Sequence, residues 1–174
     1  GLLRRELAGD AGALADELWN VTLLLDKLGL YTMEVYQKRR EEVMLDLNAM
    51  AGGLPFFDVA DAEVSPDGRW LAYTTDTTGF RQFVLHVKDL RTGRLTEGIA
   101  ERVTGVVWAN DNRTLFYTQE DEVAKRSWRC WRVRVGETKH DLLYEEPDAL
   151  YSLWLERPLD GAFVQLNIAS KEAT

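Results

Sequence analysis

Acyl transfer by serine needs a hydroxyl exposed beside a base. The chain offers four serines, Ser65, Ser127, Ser152 and Ser170, and two histidines, His86 and His140. No serine stands in a Gly-x-Ser-x-Gly elbow, the strand-to-helix turn that presents a nucleophile. Ser65 opens a Ser-Pro-Asp-Gly turn, where its hydroxyl is expected to bond the local backbone. His86 falls in an alternating strand, and His140 reads as part of a polar loop. Triads are assembled in space rather than in sequence, but no spacing here points to one. The expected set of catalytic residues is empty.

Metal and nucleic-acid chemistry fare no better. Glu120-Asp121-Glu122 and Glu145-Glu146-Pro147-Asp148 concentrate carboxylates, yet neither follows the Asp-x-Asp-x-Asp-Gly pattern of a calcium loop. They read as solvated loops, and no metal or cofactor is expected. Lys125 to Arg134, "KRSWRCWRVR", interleaves cations with aromatics as single-strand platforms do. The net charge of −8 argues against that use, and the run reads as a strand with Trp131, Val133 and Val135 inward and Arg132 and Arg134 outward. A lone cysteine, Cys130, permits no disulfide within the chain. Two sequons, Asn20-Val21-Thr22 and Asn112-Arg113-Thr114, are read as coincidental, because the sequence has neither a signal-peptide pattern nor a membrane-spanning apolar run. The expected setting is cytoplasmic, with no nucleic-acid or membrane partner.

What the chain does have is a repeated unit. Asp67-Gly68-Arg69-Trp70-Leu71-Ala72-Tyr73 aligns with Asp111-Asn112-Arg113-Thr114-Leu115-Phe116-Tyr117, and Asp160-Gly161-Ala162-Phe163-Val164-Gln165-Leu166 is a third, weaker copy. Gly68 and Asn112 occupy the same place, and both tolerate a left-handed backbone. Four-stranded units returning at such an interval suit propeller blades. The first unit predicts strands over 57–64, 70–75, 83–90 and 94–96. In its third strand Phe83, Leu85 and Val87 share one face and Val84, His86 and Lys88 the other. The second unit predicts strands over 103–108, 114–119, 128–135 and 142–144, and the third over 150–155 and 163–168. The fold is therefore expected to be mainly β: antiparallel four-stranded blades of a partial propeller over residues 53–174, about two and a half blades in all.

Residues 1–52 are expected to form an N-terminal helical segment. Leu7, Leu14, Leu18, Val21, Leu25 and Leu28 make one helical stripe, with Gly29 as its stop. A second runs through Tyr36, Val43, Leu47 and Met50 until Ala51-Gly52-Gly53 and Pro55 end it.

These residues carry a resemblance. "EVMLDLNAMA", "VSPDGRWLAYTTDTTGFRQFVLHVKDLRTG", "VVWANDNRTLFYTQED", "WRVRVGE" and "LLYEEPD" together resemble the start of the propeller in the oligopeptidase B group of the prolyl oligopeptidase family. The likeness covers roughly residues 41 to 174; residues 1–40 depart from the family pattern, and the stretch from Arg126 to Tyr144 is shorter than usual. The resemblance implies a cytosolic serine peptidase that cleaves short peptides after Arg or Lys, its propeller capping an α/β-hydrolase domain that carries the triad. None of that domain's motifs lies in these residues, so the chain is expected to gate substrate and to be inactive alone. The alternative is a free-standing module that binds a peptide or protein. An incomplete ring also leaves open sheet faces near Trp108, Trp131 and Trp154, from which self-association is expected, unless the N-terminal leucine stripe covers one of them.

Overall fold

The repeat is legible first in its turns. In the computed structural model, which describes residues 43–158 and 161–170, the Ser65 hydroxyl donates to Asp67 Oδ1 at 2.6 Å and accepts the Trp70 amide at 2.9 Å. Gly68 sits at φ 71° and Asn112, its counterpart, at φ 59°. Asp111 does the work of Asp67 in the second copy, accepting the amides of Arg113 and Thr114. The two turns also touch, because the Asn112 side-chain oxygen accepts the Asp67 amide at 2.9 Å.

Each turn delivers the chain into an antiparallel hairpin. β1 (Asp58–Val64), β2 (Trp70–Asp76), β3 (Val84–Asp89) and β4 (Leu95–Ala100) form the first sheet, in chain order. β5 (Val103–Trp108), β6 (Thr114–Glu120), β7 (Ser127–Arg134) and β8 (His140–Glu145) form the second in the same order, and β9 (Tyr151–Glu156) pairs with β10 (Gln165–Ser170) in the third. The register repeats too. Val64 opposite Leu71 and Ala62 opposite Tyr73 return as Trp108 opposite Leu115 and Val106 opposite Tyr117, with an irregularity at the same place in each first strand. A sheet whose register recurs residue for residue is one structural unit used twice.

The first two sheets bury a common apolar seam. Ala72, Leu85 and Val87 from one side meet Val103, Val106, Trp108, Leu115, Tyr117 and Val133 from the other. The alternation expected in β3 holds, with Leu85 and Val87 buried and Val84, His86 and Lys88 partly exposed. Trp108 is enclosed, and its indole N–H donates to the Glu63 carbonyl at 2.8 Å. An aromatic group buried this fully, with its one donor satisfied, is worth about 3–5 kcal/mol against alanine. Val133 is likewise buried on the seam with Arg132 and Arg134 exposed, as expected. Cys130 and Thr118 lie on the opposite face of the second sheet and are buried there, where β9 packs across β6 and β7.

A polar clamp joins the second and third sheets. Arg126 is buried, and its guanidinium donates to the carbonyls of Glu146 and Tyr151, each at 2.8 Å. Glu146 was expected in a solvated loop; it is buried instead, accepting the Tyr144 hydroxyl and the Asp148 amide. The carboxylate replaces solvent with internal donors, which makes its burial tolerable.

Other expectations need correction. His140 begins β8 rather than lying in a loop, opposite Val133 and bonded through Nδ1 to the Tyr117 hydroxyl at 2.7 Å. The outer strands β4 and β8 are longer than their apolar residues suggested. β4 is held by a bulge in which Gly98, at φ 64°, donates its amide to His86 Nδ1. An amide can only donate, so His86 Nδ1 is unprotonated and Nε2–H donates to Thr75 Oγ1 at 2.8 Å. β10 starts at Gln165, leaving Phe163 exposed. Trp108 is not on an open face, and Trp154 shares the face of β9 turned away from the second sheet with Ser152, Glu156 and, from β10, Asn167.

The described part of the second stripe, Val43, Leu47 and Met50, does not lie on one helix. Residues 43–46 are not helical, and a short helix, α1 (Leu47–Ala51), starts afresh where Asp46 Oδ1 accepts the Ala49 amide. It ends before Gly53, at φ 83°. Tyr36 and the leucine stripe of residues 7–28 lie outside the described residues. The chain divides into two compact units, Gly1–Val43 and Met44–Thr174. Among the described residues no helix is long and apolar enough to cross a membrane.

Candidate functional site

The first strands of the three sheets approach one another: β1 contacts β5, and β5 contacts β9. Where the three meet, a cleft of about 490 Å³ is lined by Asp61 and Glu63 from β1, Thr104 from β5 and Trp154, Glu156 and Arg157 from β9 and its end. Alternation in β1 puts Asp61 and Glu63 on one side of the strand. The Asp61 and Glu63 carboxylates accept no hydrogen bond among the described residues, although Thr74 Oγ1 takes the Asp61 amide.

This isolation sets their electrostatics. Burial raises the Asp61 carboxyl above its ordinary value. Burial raises Glu63 as well, the Asp61 charge adds to the rise, and Arg157 opposes it. Two carboxylates held near each other without donors have an unmet demand for positive charge. Arg157 meets only part of it, since its guanidinium also bonds Asn110 Oδ1. Asn110 in turn donates to the Gly161 carbonyl at 2.7 Å, which ties the β9–β10 turn to the second sheet. The Trp154 ring, 45% exposed, supplies a flat apolar surface at the same cleft. Carboxylates beside an aromatic face can attract and hold a cationic side chain.

The residues considered for acyl transfer are dispersed. Neither histidine bonds a serine: His86 is committed to Thr75 and Gly98, and His140 to Tyr117. Ser65 is consumed by its turn, and Ser127 shares a 2.7 Å hydrogen bond with Thr104. Glu120 and Glu122 are engaged by Arg102, and Glu120 also by Lys125, while Asp121 accepts the Val123 and Ala124 amides. No group of three or more potential metal ligands occurs among the described residues. In the basic-aromatic run, Arg129 lies 3.9 Å from the Trp128 ring centroid and pairs with Glu145, while Arg132 pairs with Asp141. Those cations are spent within the sheet. The cleft itself was missed in the sequence, although the alternating acids of the first predicted strand, Asp61 and Glu63, were its signal.

Four-stranded antiparallel sheets, stacked face to face with their first strands convergent, define blades of a β-propeller. Residues 18–174 match the family model described as the prolyl oligopeptidase N-terminal β-propeller domain, and the chain belongs to that family. Among curated relatives, a dipeptidyl aminopeptidase BI from Pseudoxanthomonas mexicana is 36% identical over 133 residues, which is 75% of this chain and 18% of the relative. Protease 2 of Moraxella lacunata is 31% identical over 143 residues, 78% of this chain and 20% of its own length. Among solved structures, oligopeptidase B from Leishmania major aligns with a TM-score of 0.64 at 25% identity, covering 72% of this chain and 18% of that one. This chain therefore spans about a fifth of the length of the relatives it matches. In them the propeller is part of a larger enzyme with a catalytic domain.

Proposed function

We propose that the chain is the substrate-gating propeller portion of a serine oligopeptidase like oligopeptidase B, whose whole enzyme hydrolyses short peptides after Arg or Lys in the cytoplasm. In this reading residues 1–52 are a helical segment, residues 53–174 are the propeller portion, and an α/β-hydrolase domain supplies the triad. The observation that carries it is the inner cleft, where Asp61 and Glu63 face inward without hydrogen-bond donors. A propeller that admits cationic peptides gains from such a wall, because a low-dielectric cleft of one sign concentrates the opposite charge. The barrier to large folded proteins is steric and belongs to the ring as a whole.

Two measurements test the reading. The purified chain incubated with a fluorogenic Arg-amide is expected to give no turnover, since it offers no elbow serine and no oxyanion-hole loop. Turnover that co-purifies with the chain and disappears in a Ser-to-Ala series would overturn this. An Arg-containing peptide is expected to bind the chain more tightly than its Gln counterpart, with the difference abolished by Asp61→Asn with Glu63→Gln. Equal binding of the two peptides would remove the gating role assigned to the cleft.

A further inference from the structure

On the side of the molecule that carries the turns, the seam between the first two sheets opens into a cup of about 260 Å³. Three arginines from three separate turns line it: Arg69 before β2, Arg94 before β4 and Arg113 before β6, with Trp70, Thr96 and Gly136. Only Arg69 has an ionic partner, Asp89 at 3.2 Å. Its guanidinium also lies 4.6 Å from the Trp70 ring centroid, which fixes its orientation. Arg69 Nε is shielded from solvent and has no hydrogen-bond partner. The side chains of Arg94 and Arg113 form no ion pair or hydrogen bond among the described residues.

The charges do not balance. Arg69, Arg94 and Arg113 line one small cup, and Asp89 is the one carboxylate that forms an ion pair with any of them among the described residues. Three like charges would separate in solvent unless held, and Arg69 is held by its carboxylate and its aromatic neighbour. Arg94 and Arg113 are left without an ionic partner among the described residues, in a chain whose net charge is −8. A doubly charged oxyanion would give both a partner, because its several oxygens can accept from more than one guanidinium at once. Asp89 is already committed: although burial pushes its carboxyl up, the Arg91 amide and the Arg69 side chain hold it below its ordinary value.

We propose that this cup, walled by Arg69, Arg94 and Arg113 at the seam of the first two sheets, binds a phosphoryl dianion. The ligand is either free inorganic phosphate or the phosphate of a phosphorylated peptide side chain. The site lies on different residues from the inner cleft and does not depend on the gating role.

Calorimetric titration of the 174-residue chain with inorganic phosphate, at constant ionic strength in sodium chloride, tests this. Saturable binding is expected, weakened about tenfold or more by Arg94→Gln with Arg113→Gln. Arg132→Gln, which removes a cation outside the cup, should leave it unchanged. Both arginines of the double variant are exposed, and an unaltered melting midpoint would confirm that the fold is intact. A phosphoserine peptide that binds more tightly than phosphate, when its unphosphorylated form does not, would identify the peptide as the source. Equal affinity for peptide and free phosphate would identify the free ion. Absence of saturable binding at millimolar phosphate, or binding indifferent to the double substitution, would overturn the proposal.

Discussion

The carboxylates of this protein fall into two populations that differ in what surrounds them. At the turns, Asp76 accepts the Thr78 amide and hydroxyl and the Arg81 amide, and Asp121 accepts the amides of Val123 and Ala124. Burial pushes Asp76 up, but those bonds outweigh it and hold the group below its ordinary value; the Ala124 and Val123 amides do the same for Asp121. On the inner wall Asp61 is partly buried and Glu63 is exposed, and neither carboxylate has a donor among the described residues. Both are raised, Glu63 by partial desolvation and then by the Asp61 charge. The same residue type is structural where backbone amides converge on it and available where they do not. That contrast separates what holds the blades from what their inner wall can offer a ligand.

The largest test of this contrast is Asp76→Ala, which removes a buried carboxylate and takes their acceptor from the Thr78 amide and hydroxyl and the Arg81 amide. It should cost about 3 kcal/mol in urea unfolding. A loss below about 1 kcal/mol would show that the turn carboxylates are dispensable. Next comes Gly68→Val. No atom would crowd the added Cβ, so the cost arises from the φ of 71° alone and should be about 1–2 kcal/mol. Asp61→Asn should run the other way, changing stability by no more than about 0.5 kcal/mol at neutral pH and toward greater stability.

The smallest effect is the most discriminating, because the two populations have opposite pH signs. A lowered carboxyl contributes stability that is present above its ordinary value of 3.8 and is lost as pH falls through the folded pKa. A raised one binds its proton earlier in the folded state, so stability rises as pH falls toward 3.8 for Asp61 and 4.5 for Glu63. Burial lowers His86 from 6.5, which adds a separate loss below that pH. His86 cancels when wild type is compared with the Asp61→Asn, Glu63→Gln double variant. The variant should be the more stable at pH 7, and its advantage should shrink in mild acid. A constant difference from pH 7 to pH 4 would mean that the inner carboxylates are not raised.

How far the sequence foretold this depends on range. The Asp67-Gly68 and Asp111-Asn112 turns act through bonds to residues two to five positions away, so they could be read directly, and with them the strands that follow. Outer strands β4 and β8 were read short because solvent on their outer side removes the apolar alternation that marks β2 and β6. The burial of Glu146 depends on Arg126 and Tyr144, and the role of His140 on Tyr117 two strands away. No local pattern announces either. The inner cleft needs one strand from each of three sheets, so its acids were visible in the sequence and their meeting place was not.

Cys130, the only cysteine in the chain, is buried on β7, and burial pushes its thiol up to about 11. At neutral pH it is therefore both unreachable and almost wholly protonated, while attack on a labelling reagent requires an accessible thiolate. Any modification must wait for the second sheet to open. A single buried thiol in a chain with no other thus acts as a built-in clock. Its labelling rate in native buffer reports how often the middle of the array parts, without a probe having been added to the molecule.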